Sequence, residues 1–246
     1  MTSLETQFYP EIRFGGFTDC DSTVAFYTRV RALAGGARLV VDYGCGRGSC
    51  AEDPIVFRRE LRDLRGPNRH IIGIDIDTAA AQNPLIDEFR LLAPGVAWPI
   101  ESSSVDLIVA DFVLEHVADP DAVFAEAARV LAHGGHFCIR ASNAASYVGL
   151  ISWLIPRKLH HAVLRIAQPD RHENDVFPAA YACNTVWRLR RLLARHGFDA
   201  FVSGYNAEPA YLSFSRWAYG LGVAWQKHAP TSVAPALFAF ARLEAK

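Results

Sequence analysis

The sequence has little that is typical of a secreted scaffold, a membrane-spanning protein or a polyanion-binding protein. Its 246 residues include only five cysteines and no C-x-x-C pair, which argues against a disulfide framework or structural zinc site and favours a reducing, cytoplasmic environment. The 25 basic and 26 acidic residues give a net charge of −1 without any Lys/Arg run, so nucleic acid is not an expected partner.

Long apolar runs are also missing. No stretch approaches the roughly 18–20 uninterrupted apolar residues of a spanning helix, and the acid-bearing N-terminus lacks the apolar core of a secretory signal. An amphipathic helix within 147–166 leaves peripheral membrane contact open, although a buried lid helix is the expectation we prefer.

What the sequence does contain predicts one α/β domain. Hydrophobic residues make up 51% and charged residues 21% of a chain without internal repeats or linkers, so residues 1–246 are expected to fold as a unit. Short β-branched runs alternate with helical patterns, a rhythm typical of a doubly wound, Rossmann-like parallel sheet. The predicted strands are 38–43, 70–76, 105–110, 136–141, 198–204 and 235–243, and the predicted helices are 21–34, 119–133, 185–196 and 209–226.

A glycine-rich turn follows the first predicted strand. The segment VVDYGCGRGS places Asp42, Gly44, Gly46 and Gly48 in a D-x-G-x-G-x-G pattern, in which glycines allow positive φ and close approach of a ligand to the backbone. The next strand ends at Asp75, 27 residues beyond Gly48, where a carboxylate can accept both hydroxyls of a ribose. A ribose-bearing ligand is therefore expected at the carboxyl ends of these strands.

The third strand and its turn complete a recognisable series of blocks. DLIVADFVLEHVADP and ARVLAHGGHF follow the glycine loop and the GID strand tip in order, and together they resemble a class I S-adenosylmethionine-dependent methyltransferase. The resemblance covers roughly residues 38–141. It implies a mostly parallel seven-stranded sheet with a terminal antiparallel strand, and S-adenosylmethionine as cofactor.

Residue by residue, the resemblance implies a cofactor site. Its expected members are Asp42, Gly44, Cys45, Gly46, Gly48, Asp75, Ile76, Asp111 and Phe112: the loop would line the methionine and ribose, Asp75 would hold the ribose hydroxyls and Ile76 would pack on adenine. The chain departs from the pattern at Pro94, where many relatives carry an adenine-binding Asp. The backbone of Ala97 and Trp98 is expected to replace that contact.

The acceptor side is less defined. Residues 142–184 interrupt the strand and helix alternation and are rich in His, Asp, Arg and Tyr, so we interpret them as an acceptor-side lid inserted into the domain. Candidates for a catalytic base are His116, His161 and His172, because histidine titrates near neutral pH; for each of them a structural role is the expectation we prefer. No metal site is predicted from the spacing.

The sequence is compatible with three functions. The first is methyl transfer to a small-molecule or carbohydrate acceptor, at oxygen. The second is a non-catalytic S-adenosylmethionine-binding module. The third, an NAD-dependent oxidoreductase, is disfavoured because a G-x-G-x-x-G/A pattern counted from Gly44 meets Ser49 at its last position.

Overall fold

The strands form a single seven-stranded sheet. The computed structural model describes residues 3–93, 95–154 and 180–244. The strands are β1 Leu39–Tyr43, β2 His70–Asp75, β3 Glu88–Leu91, β4 Val105–Asp111, β5 Leu131–Ser142, β6 Phe198–Tyr205 and β7 Ala236–Leu243. They lie in the order β3-β2-β1-β4-β5-β7-β6, and only β7 runs antiparallel to its neighbours. This confirms the predicted doubly wound sheet with an antiparallel last strand.

Seven helices accompany the sheet within the described ranges. They are α1 Ser3–Phe8, α2 Ser22–Leu33, α3 Val56–Arg62, α4 Pro120–Val130, α5 Tyr147–Leu154, α6 Val186–Arg195 and α7 Arg216–His228. The Asp21 carboxylate caps α2 by accepting hydrogen bonds from the backbone N–H groups of Thr23 and Val24, as its position before a helical pattern suggests. None of the described helices is long and apolar enough to span a bilayer.

Two predicted helices differ from the structure by more than one residue at an end. α4 ends at Val130 rather than at 133, because Leu131 is already extended and pairs with Val105 of β4. α7 begins at Arg216 rather than at 209, because Pro209 opens a separate short 3-10 turn over Ala210–Leu212. The four-residue β3 lacks β-branched residues and was not predicted.

The core lies on both faces of the sheet. Consecutive strand residues point to opposite faces, so that Val40 packs with α2 residues such as Phe26, whereas Val41 belongs to the larger core that includes Phe124 of α4. A third, small cluster is separate from both and joins the N-terminal segment to α7. The parallel strands therefore have both faces covered, and their carboxyl ends are the place where ligands bind in such sheets.

Candidate active site

The glycine loop leaves β1 at the carboxyl edge of the sheet and turns back against β2. The Gly44 N–H donates to the Ile74 carbonyl at 2.8 Å, and Gly44 and Gly46 have φ values of +69° and +54°. A Cβ on Gly44 would lie 2.5 Å from Val113, whereas a Cβ on Gly46 would meet nothing within 4 Å. Packing therefore requires glycine at the first position, while the second faces open space in which a ligand can reach the backbone.

A side chain that the sequence analysis missed holds this loop. The Asn83 Nδ2 donates to the carbonyls of Cys45 and Gly46 at 2.8 and 3.3 Å, and its Oδ1 accepts from the Leu85 N–H at 2.9 Å. A Cβ on Gly48 would lie 2.4 Å from the same Oδ1. The residue precedes Pro84 in an irregular stretch, where no periodicity marks it as important.

Asp75 connects the tip of β2 to the loop. Its Oδ2 accepts a hydrogen bond from the Gly46 N–H at 2.9 Å, and its Oδ1 accepts from the Asp77 N–H at 2.9 Å. The next residue, Ile76, is 59% exposed although it is a large aliphatic side chain. The two residues expected to hold ribose and adenine thus lie beside the open space at Gly46.

Three carboxylates lie at this edge, at the ends of β1, β2 and β4. The partly buried Asp42 pairs across the sheet with Gly73 of β2 and Val109 of β4. Burial, together with the charges of Asp111 and Asp75, raises the pKa of Asp42 to about 7. Such a concentration of negative charge favours a ligand that carries positive charge.

Asp111 is held by an arginine that sequence analysis did not identify. Arg140 of β5 lies opposite Asp111 in register and donates to both carboxylate oxygens, through Nε and Nη2, at 2.6 Å each. The Tyr27 hydroxyl donates to Oδ2 at 3.0 Å. Although burial opposes ionisation, the Arg140 charge holds the pKa of Asp111 below its usual range. The carboxylate is therefore fixed in place and ionised.

Phe112 follows in a left-handed backbone conformation, with φ of +56°. Its N–H donates to the Arg140 carbonyl at 2.7 Å, and the Arg140 guanidinium carbon lies 4.8 Å from its ring centroid. The ring remains 39% exposed. Backbone strain and an exposed aromatic ring at a strand tip are features that cluster at ligand sites.

A second buried carboxyl lies further along the same loop. Glu115 accepts a hydrogen bond from the Ser142 hydroxyl at 3.0 Å, and burial raises its pKa. The backbone carbonyl of Glu115 accepts hydrogen bonds from the N–H groups of Ala180 and Tyr181 at 2.6 and 3.1 Å. The predicted residue His116 comes next, partly buried, in the turn after β4. Glu115 therefore connects the end of β5 to the backbone at residues 180 and 181, beside His116.

The structure does not support the expectation that the Trp98 backbone contacts adenine. The Trp98 N–H donates to Oε2 of Glu126 at 2.6 Å, and its carbonyl accepts from Nη2 of Arg129 at 3.0 Å. The indole instead stacks on the Tyr43 ring, with centroids 4.8 Å apart. The polar backbone atoms of Trp98 are therefore used by α4, and Pro94 lies outside the described residues.

Two of the predicted catalytic-base candidates, His161 and His172, lie outside the described ranges. So do other polar residues of the predicted lid, which are His160, Asp170, Arg171 and Asp175. Within the described ranges, no group of three or more His, Cys, Asp or Glu side chains is arranged to hold a metal ion.

Comparisons with known proteins match this chain to methyltransferases. Residues 41–139 match a family described as methyltransferase domain. A ubiquinone biosynthesis O-methyltransferase from Cupriavidus pinatubonensis is 29% identical over 125 residues, which cover 46% of this chain and 44% of that protein. The matched part thus spans less than half of that relative.

Solved structures with the same fold cover more of the chain. One chain of a complex between the Haloferax volcanii Trm112 methyltransferase activator and a methyltransferase has a TM-score of 0.54, with 16% identity and 90% coverage of both chains. Geranyl diphosphate C-methyltransferase from Streptomyces coelicolor has a TM-score of 0.52 and 15% identity, covering 89% of this chain and 75% of that one. With this strand order and glycine loop, the chain has the Rossmann-like fold of class I S-adenosylmethionine-dependent methyltransferases, and its residues 41–139 match the methyltransferase domain family.

Proposed function

We propose that the protein transfers a methyl group from S-adenosylmethionine to an oxygen atom of a small or sugar-like acceptor. The observation that carries this proposal is the pairing of the glycine loop with Asp75 beside open space at Gly46. The curated relative from Cupriavidus pinatubonensis is an O-methyltransferase, which supports oxygen as the methylated atom.

The residues present fit the cofactor. A Cβ at Gly46 would occupy open space, so an unsubstituted backbone leaves room there for the methionine and ribose portions, alongside Gly44, Cys45 and Gly48. Asp75 would accept hydrogen bonds from the ribose hydroxyls and Ile76 would cover adenine. When bound, S-adenosylmethionine supplies a methyl group already activated on a positively charged sulfur.

The carboxylates would orient the methionine end. Asp42 would bind the methionine ammonium, directly or through water, while Arg140 keeps Asp111 ionised at the same edge. Phe112 would exclude water from that side. Because the methyl carbon is already activated, these side chains mainly align the reactants and stabilise positive charge.

Removal of the acceptor proton is the remaining requirement. His116, His161 and His172 stay predictions for that role; of the three, His116 is the one within the described ranges. Residues 142–184 stay the predicted acceptor-side lid. Support comes from their described ends, because Ala144 N–H donates to the Asn184 carbonyl at 2.8 Å beside the end of β5.

A thermal-shift and turnover panel tests the proposed function. We expect S-adenosylhomocysteine to stabilise the protein and NAD to have no effect, since a ligand that binds only the native state raises the melting temperature. Stabilisation by NAD instead would favour an oxidoreductase. Binding of S-adenosylhomocysteine without methyl transfer to any phenol, alcohol or sugar acceptor would favour a non-catalytic binding module.

A further inference from the structure

A second group of polar side chains, at the same edge of the sheet, joins the N-terminal segment to α7 and to the loop after β6. We call it the Glu208 cluster; it comprises Thr18, Cys20 and Glu208, together with Tyr9 and Tyr219, against which Cys20 packs. The Thr18 hydroxyl donates to Oε2 of Glu208 at 3.2 Å and lies 3.5 Å from the Cys20 sulfur. None of these side chains is used by the cofactor site described above.

The cluster contains a polar atom that the described structure leaves unsatisfied. Tyr219 is 0% exposed, and its hydroxyl has no hydrogen-bond partner among residues 3–93, 95–154 and 180–244. A buried hydroxyl without a partner costs about 1–3 kcal/mol, so a ligand that forms a hydrogen bond with it would recover part of that cost. A phenylalanine would fill the same space without that cost.

Sheet register places the cluster at the ligand-binding edge. Ser142 at the end of β5 and Tyr205 at the end of β6 both pair with Ala236 of β7, so β6 ends level with β5. Glu208 follows Tyr205 by three residues. Asp111 lies at the same edge, because it pairs with Arg140, which precedes Ser142 by two residues in β5.

The N-terminal segment links the cluster to the cofactor site. The Asp21 N–H donates to the Thr18 carbonyl at 3.1 Å in a tight turn, and the next residue, Ser22, accepts a hydrogen bond from Arg140 Nη1 at 3.3 Å. Glu208 is therefore connected to Asp111 through the turn from Thr18 to Ser22 and through Arg140.

The surroundings of the cluster are aromatic. The Tyr9 and Phe8 rings lie 6.3 and 5.3 Å from the Tyr219 ring centroid. This contact belongs to the small cluster that joins the N-terminal segment to α7, separate from the main core. The N-terminal segment therefore covers this side of Tyr219.

We propose that the Glu208 cluster binds the methyl acceptor, and that the acceptor is a phenol whose hydroxyl donates its hydrogen bond to Glu208. This inference rests on the proposed function and narrows its acceptor class. In the reaction, Glu208 takes the phenol proton while the phenol oxygen bonds to the methyl carbon and the sulfur–methyl bond breaks, which leaves a methyl ether and neutral S-adenosylhomocysteine. The Tyr219 hydroxyl supplies a further hydrogen bond to the bound phenol.

Glu208 is suited to a phenol more than to a sugar. Burial, followed by the nearby Asp21, raises the pKa of Glu208 to about 7, which makes it a stronger base than an ordinary carboxylate. A phenol with pKa of about 10 lies within reach of such a base, whereas a sugar hydroxyl is far less acidic. The aromatic rings also match a flat, apolar acceptor.

The test compares E208Q and Y219F with the wild type. Asp199, exposed at the opposite end of β6, provides the matched control D199N. The probes are catechol, 4-hydroxybenzoate and caffeate as phenols and methyl glucoside as sugar. Four quantities are measured: melting temperature, S-adenosylhomocysteine affinity by calorimetry, probe affinity at saturating S-adenosylhomocysteine, and methyl-transfer rate.

We expect at least one phenol to bind and be methylated in preference to methyl glucoside. E208Q should lower kcat for that phenol by about 100-fold or more, while Y219F should weaken phenol binding several-fold with an unchanged or higher melting temperature. All variants should bind S-adenosylhomocysteine within about twofold of wild type, and D199N should match wild type throughout.

Other outcomes overturn the inference. Methylation of methyl glucoside alone, no phenol binding by a protein that binds S-adenosylhomocysteine, or unchanged phenol kinetics in E208Q and Y219F would each remove the cluster from the acceptor site while leaving the proposed function standing. Failure of the wild type to bind S-adenosylhomocysteine would instead overturn the proposed function, and this inference with it.

Discussion

Arg140 and Asp111, on adjacent strands β5 and β4, form a two-point ion pair in which Nε and Nη2 each lie 2.6 Å from a carboxylate oxygen. Arg140 is 1% exposed, and its Nη1 donates to the Thr23 hydroxyl of α2 at 2.9 Å. A guanidinium placed in this way satisfies its donors and fixes a carboxylate at the edge of the crevice. The pair therefore couples the candidate cofactor site to the start of α2.

Replacing Arg140 should destabilise the protein more than replacing both partners. Arg140→Met leaves Asp111 without its counter-charge, which costs about 3–5 kcal/mol when a buried pair loses one member. The double variant Arg140→Met/Asp111→Asn removes the orphaned charge and should recover part of that loss. Urea denaturation at pH 7 measures both, and equal stability of the single and double variants would contradict the assignment.

Gly44 and Gly46 should respond differently when each gains a side chain. Both have positive φ, which costs about 1–2 kcal/mol for a residue with a Cβ, but only at Gly44 would the Cβ also meet Val113 at 2.5 Å. Gly44→Ala should therefore lower the melting temperature markedly. Gly46→Val should leave a folded protein that no longer binds S-adenosylhomocysteine.

Circular dichroism and a ligand titration on the same samples separate these effects. If Gly46→Val retained full affinity, the cofactor would not lie against this part of the loop. If Gly44→Ala were as stable as wild type, Val113 would have to move at little cost, and packing would not explain glycine at that position.

The sheet was predictable because its signals are local, whereas the contacts that complete the site are not. Asp42, Asp75 and Asp111 each end a β-branched run, so topology alone predicts that they share an edge. Arg140 and Asn83 gave no such signal, because their roles depend on register with Asp111 and on the path of an irregular stretch around the glycine loop.

Glu208 was missed for a related reason. The N-terminal residues that contact it, such as Thr18, lie 190 positions away in the sequence, and no local pattern indicates such a contact. The expectation that the Trp98 backbone contacts adenine was wrong. A sequence cannot show that Glu126 and Arg129, three residues apart on α4, form hydrogen bonds with the N–H and the carbonyl of Trp98.

Asp75→Ala should weaken S-adenosylhomocysteine binding by about 1–3 kcal/mol, because two ribose hydroxyls lose a charged acceptor. Asp106→Asn is a suitable control, since its carboxylate also accepts backbone N–H groups, those of Arg38 and Leu39 at 2.8 and 3.0 Å, but at the amino edge of the sheet. Calorimetry should show a loss of affinity for the first variant alone. An unchanged affinity of Asp75→Ala would remove this carboxylate from the site.

Asp42 should make cofactor affinity depend on pH. Its pKa of about 7 in the ligand-free protein means that the carboxyl is largely protonated below pH 7, whereas binding of the methionine ammonium favours the ionised form. The affinity for S-adenosylhomocysteine should therefore fall by up to about tenfold per pH unit below pH 7 and level off above it. Calorimetry from pH 5.5 to 8.5 measures this profile.

The raised pKa of Asp42 should also make the ligand-free protein less stable as pH rises, whereas it makes ligand affinity increase with pH. Between the unfolded value of about 4 and pH 7, the native state binds more protons than the unfolded state, so the Asp42 contribution to stability declines as pH rises through that window and stays low above it. In Asp42→Asn, both the affinity profile and the melting temperature should depend less on pH. If the wild-type affinity were flat across this range, or if Asp42→Asn kept the wild-type slope, Asp42 would not contact the methionine ammonium and another group would have to bind it.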